Sequence, residues 1–147
     1  MIDIDNDGDR DIFVGCGHLD DNVEQFDDTT NYLARNILLV NTGAGKFVDV
    51  SDSAGDGLAV KLSSRGVAFG DLDNDGDLDA VILNSRGRPT VLRNDSATEN
   101  HWIQIRLRGA KTNRCGVGAR VEVVAGDLTQ IDEVRSGRGY QGHFGMR

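Results

Sequence analysis

Half of the aspartates in this chain fall into two nine-residue runs, Asp3-Ile-Asp-Asn-Asp-Gly-Asp-Arg-Asp11 and Asp71-Leu-Asp-Asn-Asp-Gly-Asp-Leu-Asp79. The runs align without a gap and differ only at their second and eighth positions. Carboxylates packed this closely repel one another unless a cation lies between them. In a tightly wound loop, carboxylates at alternate positions turn inward together, here Asp3, Asp5 and Asp7, and Asp71, Asp73 and Asp75. The Asn-Asp-Gly step supplies the bend, because Gly8 and Gly76 tolerate positive φ and asparagine tolerates it better than most residues. Asp9 and Asp77 are then expected to offer main-chain carbonyls, and Asp11 and Asp79 to close the shell. A set this rich in hard oxygen donors suits Ca²⁺, which takes about six to eight oxygens, better than the smaller, strictly octahedral Mg²⁺. The expectation is two Ca²⁺ sites, one in each run.

An EF-hand loop starts in the same way but requires a bidentate glutamate at its twelfth position. That position is Val14 in the first run and Ile82 in the second, and each lies in an apolar stretch. Calmodulin-like and dockerin-like readings are therefore excluded, and the loops are expected to sit between β-strands.

The elements that hold the loops form an internal repeat. Each loop leads into an apolar run, Ile12-Phe13-Val14 or Ala80-Val81-Ile82-Leu83. A second run then ends in asparagine, Ile37–Asn41 in the first copy and Val91–Asn94 in the second. The loop-to-asparagine separation is 38 residues, Asp3 to Asn41, against 23, Asp71 to Asn94. The polar tract His18–Asn36 is the natural place for the extra residues, with a short helix expected near Asn31–Arg35. Strand patterns also cover Lys46–Val50 and Gly66–Gly70. After Asn100 the texture changes. His101–Leu107 alternates apolar and polar as a half-buried strand does, and Ala119–Val124 and Gln130–Arg135 flank a hairpin turn at Gly126-Asp127. The class is all-β.

The net charge of −8 divides unevenly. Residues 1–99 carry 20 acidic against 8 basic groups, whereas residues 100–147 carry 4 against 8, which marks two segments with different roles. No run of apolar residues is long enough to span a bilayer.

With Phe69-Gly70 preceding the second loop, the first part resembles the FG-GAP/VCBS repeats of integrin-α-like β-propellers. Asn41–Ser51 is similar to the stretch that closes a blade in that family. The tail resembles an ASPIC/UnbV domain, as in cartilage-acidic-protein-like proteins. That likeness rests on Asn100-His-Trp102, Asn113-Arg114, Gly116–Arg120, Glu133–Gly137, Gly139-Tyr140 and His143-Phe144-Gly145. Family tails usually have more residues between Gly-Tyr and His-Phe-Gly, and an acidic residue is common where Cys115 stands. The resemblance implies two calcium-loop repeats over residues 1–98 and an ASPIC/UnbV-like domain over residues 99–147. It also implies continuity with further N-terminal blades, because an intact repeat has a strand before its loop. Two loops are fewer than a propeller needs.

Other chemistry is sparse. His18, His101 and His143 are far apart, and no nucleophile elbow, P-loop or zinc-protease motif occurs. Cys16 and Cys115 fit either a lone disulfide or two free thiols. Asn94-Asp95-Ser96 matches a glycosylation sequon. Trp102 is expected to anchor the core of the tail. Arg106, Arg108, Lys111, Arg114, Arg120, Arg135 and Arg138 make the tail basic, with no interleaved aromatic platform for nucleic-acid bases. They are expected to form a polar face that also docks on the acidic repeats. The reading is a non-enzymatic, calcium-binding interaction or adhesion module of an extracellular, cell-surface or periplasmic protein, with no membrane insertion and no nucleic-acid partner. Its protein or glycan partner is not specified by any motif. The alternative is a polysaccharide-binding or accessory domain of a secreted enzyme, whose acids would be drawn from Asp49, Glu122 and Glu133.

Overall fold

The apolar runs that follow both aspartate runs, and the stretch that precedes the second, become short antiparallel ladders. The computed structural model describes residues 1–96, 98–111, 113–137, 139–140 and 142–143. Arg138, Phe144 and Gly145, which entered the sequence reading, lie outside the described residues.

The first copy forms a three-stranded sheet of β1 (Ile12–Val14), β3 (Ile37–Asn41) and β4 (Phe47–Asp49), in the order β1-β3-β4. The second forms β6 (Ser64–Gly70), β7 (Asp79–Asn84) and β8 (Thr90–Leu92), in the order β6-β7-β8. Pairing is antiparallel throughout. Corresponding positions agree closely: Gly70 pairs with Asp79 across the second loop, and Ile2 forms an isolated bridge with Asp11 across the first. The fold is all-β, as the repeat pattern implies.

Ile82, on β7, is fully buried, and Ala80 and Leu38 join it in a small apolar core. Phe13 on β1 meets Phe69 on β6 edge to face, with ring centroids 5.5 Å apart, which ties the two sheets together. The backbone N–H of Ser64 also donates to the Cys16 carbonyl at 2.9 Å.

The insertion folds differently from expectation. Asn31–Arg35 contains no helix; Ala34–Arg35 is strand β2, paired with β5 (Lys61–Leu62). A short helix gains little against its nucleation cost, and pairing with β5 satisfies the backbone of this stretch directly. The insertion is pinned instead by a 3₁₀ turn, Val23–Gln25, whose Val23 is buried. Another short helix, α1, spans Asp56–Ala59.

In the tail, β9 (Arg120–Ala125) and β10 (Leu128–Glu133) form the expected hairpin, with Ala125 opposite Leu128. Gly126 takes φ +62°, as the first position of a Gly-first two-residue turn demands. The strand expected over His101–Leu107 does not form a ladder. Its alternation survives in burial, Ile105 and Leu107 being half-buried between exposed Arg106 and Arg108. A strand needs a hydrogen-bonded neighbour, and this segment instead lies against the aspartate loops. Trp102 is likewise no core anchor: it is 49% exposed and rests on the second loop. Cys16 and Cys115 are free thiols.

Candidate metal centres

Both loops adopt one backbone course. Asn6 and Asn74 take φ +57° and +65°, and Gly8 and Gly76 take +96° and +98°. Only glycine enters the latter region readily, so the Asn-Asp-Gly step reverses the chain at the same point in each copy.

The carboxylates then divide by role. Asp11 and Asp79 are buried, and each spans two parts of its repeat. Asp11 accepts the N–H of Ile4 and of Asn41, each at 2.8 Å; Asp79 accepts those of Leu72 at 2.8 Å and Asn94 at 2.9 Å. The recurrent asparagine at the end of each second run is thereby explained: its backbone N–H ties the blade to the loop's last carboxylate. At the other end of the loop, Asp3 accepts the Gly8 N–H at 3.1 Å through Oδ2, and Asp71 accepts that of Gly76 at 3.3 Å.

Three carboxylates converge in each copy, Asp3, Asp5 and Asp11 in the first and Asp71, Asp73 and Asp79 in the second, with ligand atoms within 4.8 Å of one another. Asp7 and Asp75, expected to turn inward, stand outside these clusters, as do Asp9 and Asp77. Asp7 and Asp75 instead fold back to accept the N–H groups of Asp9 and Asp77, at 2.8 and 3.0 Å. An aspartate side chain readily caps the backbone two residues on, and this local bond competes with ligation.

The fit to a cation rests on Asp3 and Asp71. Each has its Oδ2 engaged by the loop glycine and its Oδ1 buried with no hydrogen-bond partner. A buried, unpaired carboxylate oxygen is costly, and its recurrence at the same position of both copies calls for one explanation. A hard cation among the three carboxylates would satisfy both oxygens. Electrostatics agree: burial pushes the Asp3 carboxyl up to about 6, opposed by the Gly8 N–H and reinforced by Asp7, Asp5 and Asp11. Burial and then Asp7 also raise Asp5, while burial and then Asp75 raise Asp73 and Asp77. Burial and mutual repulsion thus disfavour the charged form of these carboxylates.

The FG-GAP-like repeat profile matches residues 3–82, more than half of the chain. The chain belongs to this family. A second profile, ASPIC and UnbV, matches residues 109–145. FG-GAP-like repeats followed by an ASPIC/UnbV segment point to a propeller-type module of the extracellular class. Neither the curated proteins nor the solved structures contain a significant match to the chain.

Several contacts of the FG-GAP-like loops were not foreseeable from sequence. Asn6 Nδ2 donates to Asp77 Oδ1 at 2.8 Å and Asn94 Nδ2 to the Ile4 carbonyl at 2.7 Å, so the two loops are bonded to each other. The second bond also occupies the amide nitrogen of the sequon, giving Asn94 a structural role. Asn100 and Gln104 reach the loops from the tail, donating to the Asp5 carbonyl at 3.0 Å and Asp71 Oδ2 at 3.3 Å. Their separation from these partners along the chain leaves no periodic signal. Neither carboxylate cluster includes a histidine. Asp49 is held by the Ser51 hydroxyl and N–H, which lower its pKa, and Glu122 lies exposed on β9. Among the described residues, no helix is long and apolar enough to cross a membrane.

Proposed function

We propose that this chain is a non-enzymatic calcium-binding module of an extracellular or cell-surface protein, continuous with further propeller blades. In this reading two Ca²⁺ ions rigidify the loops between strands, leaving the surface free to engage a protein or glycan partner. Asp3, Asp5 and Asp11 hold one ion, and Asp71, Asp73 and Asp79 the other. The observation that carries this is the buried, unpartnered Oδ1 of Asp3 and of Asp71, at one repeat position, each within a converging carboxylate triad. Main-chain carbonyls and water complete a shell of the size Ca²⁺ requires.

Sites of the extracellular kind bind at about 10⁻⁴–10⁻³ M. At a tenfold excess over Kd, each ion adds about 1.4 kcal/mol to stability. The expected result is a melting temperature that rises in millimolar calcium and returns to its starting value with EDTA. Identical melting in calcium and in EDTA overturns the reading.

A further inference from the structure

The glycine at the sixth position of each loop carries a side chain from the tail. A Cβ built on Gly76 falls 1.8 Å from Trp102 Nε1 and 2.1 Å from its Cε2, so the indole rests directly on the loop backbone. One on Gly8 falls 3.0 Å from Gln130 Nε2 and 3.2 Å from Leu128 Cδ2 at the start of β10. Polar bonds reinforce both seats. Beside Trp102, Gln104 donates to the metal-cluster carboxylate of Asp71, and Asn100 donates to the Asp5 carbonyl. Beside Gln130, Arg10 of the first loop pairs with Asp132 at 3.3 Å. The tail thus touches both loops on the backbone that winds around the clustered carboxylates.

We propose that these two loops are the docking platform for the tail, and that calcium occupancy controls how firmly residues 100–133 are seated. The proposal rests on the calcium reading above. Three carboxylates without a counter-charge push apart, and the loop that widens carries its glycine and its carbonyls with it. Trp102 and Gln130 then lose flat seats that only a closed, Cβ-free turn provides, and Gln104 loses a fixed acceptor. With a cation in place the carboxylates are drawn together and the seats are restored. The tail meets loop backbone as well as side chains, so small changes in loop shape break several contacts at once. Linkage makes the effect reciprocal: if calcium tightens the tail, the seated tail tightens calcium by the same factor.

The test uses the full chain. Hydrogen exchange read by mass spectrometry, in saturating calcium and in EDTA, should show residues 100–133 exchanging about tenfold more slowly with calcium, a coupling of ordinary size. The doubly substituted Trp102→Ala/Gln104→Ala chain should bind calcium several-fold more weakly by equilibrium dialysis. Peptides from β6 and β7 report whether EDTA unfolds the whole chain; if it does, the dialysis comparison carries the test. Calcium uptake with unchanged affinity in the double variant, and no calcium effect on exchange in residues 100–133, overturns the docking proposal and leaves the metal sites standing. Absence of calcium uptake by the parent chain overturns both.

Discussion

Replacing Asp79 by asparagine separates the two roles of the buried carboxylate that closes the second loop. Asp79 is 1% exposed and accepts the Leu72 and Asn94 N–H groups at 2.8 and 2.9 Å. An asparagine of the same shape accepts one of them and sets its own NH₂ against the other. Setting a buried side-chain NH₂ against a part-buried N–H, with neither partnered, costs about 1–3 kcal/mol. In a chain of 147 residues that lowers the melting temperature by about 6 °C at mid-range, with or without metal. The substitution also removes one of the three charges in the second cluster, so the contribution of that ion is lost. In calcium at a tenfold excess over Kd this takes away about 1.4 kcal/mol more, or about 4 °C. Differential scanning calorimetry of parent and variant, in calcium and in EDTA, measures both components. Asp73→Asn is the companion, because Asp73 is exposed, and the partial desolvation left by its loop neighbours, followed by the Asp75 charge, raises its pKa. It should melt no lower than the parent in EDTA, yet lose the same calcium increment. Equal losses for Asp79→Asn in both buffers, with a full calcium response retained by Asp73→Asn, would refute the reasoning.

In the metal-free chain the contribution of Asp3 should fall as pH rises, the reverse of the ordinary carboxylate pattern. Asp3 has a folded-state pKa of about 6 against an ordinary 3.8, so its contribution is complete below about pH 4 and lost as pH passes about 6. Because Asp3 is half-buried, solvent screening reduces the effect to on the order of 1 kcal/mol. In EDTA between about pH 4 and pH 7 the parent should lose melting temperature with rising pH relative to Asp3→Asn; an identical pH dependence in that variant would oppose the assignment. Gly76→Ala and Gly118→Ala separate backbone strain from contact. Both positions have strongly positive φ, +98° and +87°, but only at Gly76 does a Cβ meet the Trp102 indole, and at Gly118 it meets nothing within 4 Å. Gly118→Ala should cost about 1–2 kcal/mol of strain and Gly76→Ala distinctly more, with a red-shifted Trp102 emission as the indole is expelled. Equal costs and an unchanged emission would place Trp102 elsewhere.

Much of the architecture was legible because it is local. Ile12–Val14 forms strand β1 with the expected bounds, and the Gly126-Asp127 hairpin turns where its residues require. The loops were equally plain, since Asn-Asp-Gly chemistry and alternate carboxylates act within nine residues. The sorting of those carboxylates was not plain. Asp7 and Asp75 resemble their neighbours in sequence, yet they stand outside the clusters and cap the backbone two residues on. Long-range features left no trace. His101–Leu107 has the rhythm of a strand, but its neighbours are aspartate loops rather than another strand, and Trp102 meets Gly76 instead of a tail core. Periodicity reports which face of a segment is covered, not what covers it. Asn94 is the compact example: its place at the end of an apolar run was visible and its bond to Asp79 forms within one repeat, while its bond across to Ile4 arises only when the two repeats meet.

The central claim is that each carboxylate cluster binds one calcium ion. Equilibrium dialysis of the EDTA-stripped chain against graded calcium measures it directly. The account predicts saturation at two ions per chain with Kd of about 10⁻⁴–10⁻³ M, falling to one in Asp3→Asn and to one in Asp71→Asn. Non-saturating uptake, or a stoichiometry that neither substitution changes, would contradict it.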